Sequence, residues 1–274
     1  MRASLGVPFR LRDAQSRVVG WAASPYTWGM RRYEQLGRVF TQIGSLPFTE
    51  VERAVAYSLE HEIPFLPELT ALGDAMLEYV EEPGRLSCLQ AFKRNRFDVV
   101  KVQCIGPATL IQSGYDEDDA ISRVYRHVEA ILDGLHAEEI ILFLDEPALG
   151  YVGFDYQRLW NPLFESFPVV RGMHTCGNMQ WDRLFEAEID LISFDASQYP
   201  ITKYYTERNG KRIAWGIAGI DDVADYRAGD LITLPCGLPH LGHTEKEADE
   251  RLRLLGDVAA SLRSRRPGRV GTTG

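Results

Sequence analysis

From Val39 onward, short runs of β-branched and apolar residues alternate with longer stretches in which apolar residues recur at helical spacing. That alternation is the signature of strand–helix units building a parallel sheet. Eight runs read as strands: residues 39–43, 63–66, 99–104, 140–144, 169–173, 191–194, 213–217 and 231–234. Amphipathic stretches such as 50–60, 118–135, 179–187 and 245–262 lie between them. Eight such units in 274 residues predict a single α/β domain, a (β/α)8 TIM barrel, with an open doubly wound sheet as the alternative. The barrel is expected over residues 39–262, preceded by an N-terminal extension (1–38) and followed by a flexible basic tail (263–274).

Chemistry-bearing residues follow these strands. Gly44 and Ser45 follow the first, Glu68 the second, Gly106-Pro107 the third and Asp145-Glu146-Pro147 the fourth. His174 and Cys176 follow the fifth, Asp195 the sixth and Cys236 the eighth. In a barrel, carboxyl ends of strands form the face on which an active site is built, so segments distant in sequence converge there.

His174 and the thiols of Cys176 and Cys236 offer one imidazole and two thiolates to a metal, and soft-to-borderline donors of this kind suit Zn2+. Ligands this far apart do not form the paired Cys-x-x-Cys pattern of a structural site, which points to a catalytic metal with an open position. Asp195 is the candidate for a fourth protein ligand. A thiol entering the open position would lose its proton to the metal and become a sulfur nucleophile. The competing reading makes the cysteines small core hydrophobes. Asp145, at the end of an apolar run, is the candidate catalytic carboxylate, and with Glu68 it could bind an ammonium group. Turn chemistry is the competing reading for Asp145-Glu146-Pro147, with Glu146 as a cap, and likewise for Gly44-Ser45. His240 and His243 are weighed as alternative ligands, whereas His61, His127 and His136 are read as lying on helical surfaces without a role.

Composition narrows the function classes. The formal charge is −9 although residues 1–32 carry six arginines against Asp13 and residues 263–274 four more, so the body between is strongly acidic. An acidic body argues against nucleic acid as a partner. No apolar run is long enough to span a membrane, and four cysteines without a scaffold-like spacing indicate a reducing, cytoplasmic setting.

Five motifs in order, Thr41-Gln42-Ile43-Gly44-Ser45-Leu46-Pro47, Gly106-Pro107-Ala108-Thr109-Leu110, Asp145-Glu146-Pro147-Ala148-Leu149, His174-Thr175-Cys176-Gly177-Asn178 and Cys236-Gly237-Leu238, resemble the catalytic half of cobalamin-independent methionine synthase. The resemblance runs from about Thr41 to Leu255. The wider superfamily holds uroporphyrinogen decarboxylase and zinc methyltransferases that take methyl groups from corrinoid proteins. The resemblance implies a barrel methyltransferase whose zinc, held by His174, Cys176, Cys236 and Asp195, activates the sulfur of homocysteine for conversion to methionine. It implies that Ile43, Gly44 and Ser45 grip the amino acid's carboxylate, and that Glu68 and Asp145 hold its amino group. Three positions depart from the pattern. Gln112-Ser113 replaces a tryptophan associated with folate, Asp221 stands at the place of a histidine, and Asp195 replaces a glutamate. These departures favour a methyl-corrinoid or corrinoid protein over methyl-folate as donor. The competing functions are a decarboxylase of a porphyrin-like acid and a catalytically inactive zinc-binding barrel.

Overall fold

The protein is described by a computed structural model over residues 30–150 and 155–264. Its first regular pairing joins β1 (Ser45–Leu46) to β2 (Glu68–Leu69) in parallel. Six further strands follow: β3 (Arg96–Ile105), β4 (His136–Asp145), β5 (Val170–Thr175), β6 (Leu191–Asp195), β7 (Arg212–Gly216) and β8 (Leu231–Thr233). They form one parallel sheet in sequence order, curved as a half-barrel with helices outside. Each of these six strands overlaps a run that the sequence marks as a strand.

The closed eight-stranded barrel that the alternation predicts is not what forms. The regular sheet has six strands, and β1 and β2 make a separate two-stranded pair. Among the described residues, 39–43 and 63–66, expected as full strands, pair with the sheet only through the single bridges Phe40–Ile232 and Phe65–Lys101. Proline explains the second segment. Pro64 and Pro67 each remove an N–H that a ladder needs, so Ile63-Pro64-Phe65-Leu66-Pro67 cannot pair continuously. Beyond the first segment, the Gly44 N–H is taken by the Gln103 side chain instead of a ladder, and Pro47, without an N–H, ends the short β1 pairing.

Side chains alternate between the faces of a strand, and the inner face here changes character along its length. Val99, Ile141, Phe143, Val170, Leu191, Ala214 and Leu231 form one buried apolar cluster with Ile43, Ile63 and Tyr33. Two-residue steps toward the carboxyl ends lead from that cluster to Lys101 and Gln103 on β3, Asp145 on β4, His174 on β5 and Ser193 and Asp195 on β6. Apolar packing at one end therefore supports polar groups at the other.

Residues 30–38 belong to the fold, although the sequence assigns them to an extension. Tyr33 is fully buried in the inner cluster, at the amino ends of the strands. The carboxylate of Glu139 accepts the backbone N–H groups of Arg32 and Tyr33 at 3.0 Å each, and the Tyr33 hydroxyl donates to the Gly229 carbonyl at 3.2 Å. The remainder of the extension and residues 265–274 of the tail lie outside the described residues.

Outside the sheet, helix Glu117–Leu132 buries Ala120, Val124, Val128 and Ile131 on one face. Its N-terminus is capped by Asp116, whose side chain accepts the Asp119 N–H at 2.8 Å, while Glu117, Asp118 and Asp119 complement the helix dipole. No helix among the described residues is long and apolar enough to cross a membrane.

Candidate metal centre

β5 ends at His174-Thr175 with Cys176 next, and Cys236 lies three residues beyond the last residue of β8. The curvature of the sheet brings the ends of these strands together. Among the described residues, ligand atoms of His174, Cys176 and Cys236 lie within 4.8 Å of one another, a group that could hold a metal ion. His174 is buried and both cysteines are half-buried.

Register fixes the imidazole. His174 pairs with Ser193 across β5 and β6, and its Nδ1 lies 3.0 Å from the Ser193 hydroxyl. The other nitrogen, Nε2, is buried without a hydrogen-bond partner. A ring held through one nitrogen with the other left open is the arrangement of a metal-ligating histidine. The two thiols bias one another in opposite directions. The Cys236 thiol, then His174, pull Cys176 well below the usual thiol range, and the Cys176 sulfur together with burial pushes Cys236 above it. A divalent cation at this position would favour the thiolate form of both sulfurs. All four cysteines are free thiols, with Cys88 and Cys104 buried.

Asp195 does not join the group. Its Oδ1 accepts from the Ser197 N–H at 3.0 Å and the Ser197 hydroxyl at 2.6 Å, and its Oδ2 accepts from Gln198 Nε2 at 2.6 Å. The carboxylate is occupied by its own turn. His240 is exposed, and His243 lies 3.9 Å from Glu247 on the following helix; neither belongs to the three-residue group.

A second polar cluster adjoins the first, because Asp145 pairs in register with His174. Glu68 and Asp145 are buried and are bridged by one amide: Gln103 Nε2 donates to Glu68 Oε2 at 3.2 Å and to Asp145 Oδ2 at 3.0 Å. Glu68 Oε1 and Asp145 Oδ1 are buried without hydrogen-bond partners. Burial pushes Glu68 up to about 8, with the charge of Asp145 adding to it. Burial likewise raises Asp145, against the pull of Lys101. Lys101, fully buried, donates to Gln103 Oε1 and lies 4.9 Å from the centre of the Phe143 ring. The sequence reading missed both Lys101 and Gln103, although their two-residue spacing inside an apolar strand puts them on one face with Val99.

The remaining predicted site residues surround this cluster. The Gly44 N–H donates to Gln103 Oε1 at 2.7 Å, and the Ser45 hydroxyl donates to Glu68 Oε2 at 3.4 Å. Ile43 is packed into the inner apolar cluster. The Leu238 N–H donates to the Ser45 carbonyl at 3.0 Å, which ties this loop to the Cys236 loop. Glu146 is the cap that turn chemistry predicts: it accepts from the Ala108 and Thr109 N–H groups, the Thr109 hydroxyl and Trp160 Nε1 at 2.7–3.0 Å. Asp221 is exposed. His61 and His127 are buried instead of lying at the surface, His127 stacking on Tyr79 at 4.4 Å from the buried face of helix Glu117–Leu132. A large cavity of about 1180 Å³ opens at the amino ends of β3 and β4, bordered by Phe97, His136 and Phe167, at the opposite end from the metal group.

The fold and the site define an α/β protein with a candidate soft-ligand metal centre beside two buried carboxylates. No protein-family model matches the chain, and a search of curated proteins finds no significant similarity.

Proposed function

We propose that this chain is a cytoplasmic zinc-dependent thiol S-methyltransferase that methylates homocysteine to methionine, with a methyl-corrinoid as donor. The observation that carries the reading is the meeting of His174 and two thiols, with the buried Nε2 left open, next to two buried carboxylates that each keep one open oxygen. One imidazole and two sulfurs match the donor preferences of zinc, and a set of three leaves room for a substrate atom. When bound, zinc supplies a Lewis acid strong enough to keep a thiol ionised at neutral pH.

The chain's own residues supply binding and orientation. Glu68 and Asp145 accept N–H bonds from the substrate ammonium through Glu68 Oε1 and Asp145 Oδ1. An ammonium at those oxygens favours the ionised carboxylates and opposes the effect of burial. Ser193 holds the His174 ring, and Asp145, one strand over in register, keeps the amino end of the substrate beside the sulfur site. Closeness of this kind lowers the barrier by fixing the sulfur before the methyl group arrives. At the folate-associated position, helix Pro107–Gln112 ends in Gln112 and Ser113, with no aromatic side chain to stack a pterin, which supports the corrinoid donor. The three arginines nearest the first strand, which a polycarboxylate substrate would need, are engaged elsewhere: Arg31 with Asp190, Arg32 with Asp98 and Glu138, and Arg38 with Asp98. That pairing favours the methyltransferase over a decarboxylase.

The test uses zinc-loaded protein with a panel of thiols and either methylcobalamin or methyltetrahydrofolate. Methionine is expected from homocysteine and methylcobalamin, and Cys176→Ser or Cys236→Ser should abolish both zinc retention and turnover. Unchanged metal content and activity in both serine variants would overturn the reading.

A further inference from the structure

Lys101 and Gln103 are fully buried polar side chains to which the methyltransferase reading gives no task. Burying such groups is costly unless their bonding is satisfied, so their partners matter. The Gly44 N–H and the Lys101 ammonium can only donate, and both meet Gln103 Oε1. The amide nitrogen is thereby turned to Glu68 and Asp145, with one N–H for each. A flipped amide would set donors against donors and an oxygen against two carboxylates, so its orientation is determined by its neighbours. Each carboxylate is left with a single open oxygen. Glu68, Asp145 and Lys101 together carry one net negative charge when ionised, which one ammonium neutralises.

We propose that Gln103, oriented by Lys101 and Gly44, is a specificity-determining positioning residue: it holds Glu68 and Asp145 so that their open oxygens accept a primary ammonium, which selects amino thiols over thiols without an amine. This rests on the proposed thiol-binding function and assigns the residues that set its acceptor class. A thiol without an amine brings no donor to these two oxygens and leaves them unpaired in the buried site.

Calorimetric titration of zinc-loaded protein with homocysteine and with 4-mercaptobutanoate, which keeps the thiol and carboxylate but lacks the amine, tests the proposal. Wild type is expected to bind homocysteine roughly tenfold or more tightly than 4-mercaptobutanoate. Gln103→Met keeps the side-chain length without N–H donors, and it should erase most of that preference by weakening homocysteine alone, with 4-mercaptobutanoate held within about twofold. Gly44→Ala perturbs the amide from outside, since an added Cβ would stand 2.9 Å from Gln103 Cδ and 3.1 Å from its Nε2, and it also meets the Leu66 carbonyl oxygen at 3.0 Å. The same loss of preference is expected there, so the outcome does not depend on one variant folding. A carboxylate-gripping role of Gly44 would instead weaken both thiols alike. A preference retained in the variants overturns the role of Gln103 and leaves the methyltransferase reading standing. A wild type that binds neither thiol, or both equally, overturns that reading and the role of Gln103 with it.

Discussion

At the scale of residues, burial decides how the site's carboxyl groups titrate. Glu68 is pushed up to about 8, so the folded protein keeps a proton that the unfolded chain gives up near the ordinary glutamate value. Folding therefore takes up a proton between those limits, and the contribution of Glu68 to stability is present at low pH and lost as pH rises through the window. Glu68→Gln removes this loss. In metal-free protein the variant's melting temperature, relative to wild type, is expected to rise between about pH 5 and pH 8, by the equivalent of a few kcal/mol. Parallel melting curves across that range would contradict the assignment. The three side chains that meet as a candidate metal group were legible as residue types, because histidine and thiols at the ends of predicted strands have few other uses together. Lys101 and Gln103 were not, since inside Val99-Val100-Lys101-Val102-Gln103-Cys104 they read as interruptions of a strand until the inner face is known. Asp195, expected beside His174 and the two cysteines, stands outside the group for a related reason: its position on the inner face is visible in sequence, but the turn that occupies both its oxygens is not.

At the scale of elements, six of eight strand expectations overlap strands of the sheet, because buried parallel strands read as continuous β-branched runs. The second fails where Pro64 and Pro67 break the pairing, a signal present in the sequence but outweighed by the apolar runs around it; the first runs into Gly44, whose N–H goes to the Gln103 side chain, which sequence does not show. Close approach between strand ends is a second feature that sequence hides. A Cβ at Gly216 would lie 2.3 Å from the Phe194 carbonyl oxygen and 2.8 Å from Pro235 Cα, backbone on both sides. Gly216→Ala is thus expected to cost about 3 kcal/mol or more and to weaken zinc binding, since Pro235 precedes Cys236. Denaturant unfolding and a zinc titration would measure both effects, and a variant with wild-type values for each would refute the close packing. The Glu146 cap gives the opposite pattern. Glu146→Ala should cost about 3 kcal/mol through its unpaired donors while zinc binds normally, because the side-chain hydrogen bonds it loses do not reach the metal group and its backbone N–H, which donates to the His174 carbonyl at 2.8 Å, is kept in the variant.

At the scale of the whole molecule, the inner face is closed at one end by Tyr33 and left polar at the other, so the chemistry collects at the carboxyl ends of the strands. Tyr33→Ala removes the plug and is expected to cost about 3–5 kcal/mol in denaturant unfolding, with zinc stoichiometry unchanged at temperatures where the variant is folded. A loss of zinc from folded variant would mean that the two ends are coupled. The central claim is that His174, Cys176 and Cys236 hold one zinc ion and leave a position for a substrate sulfur. Zinc X-ray absorption with and without homocysteine tests this most directly. The expected result is a shell of two sulfurs and one nitrogen from the protein, with a third sulfur on addition of homocysteine; a shell that does not change, or a protein that retains no zinc, would contradict it.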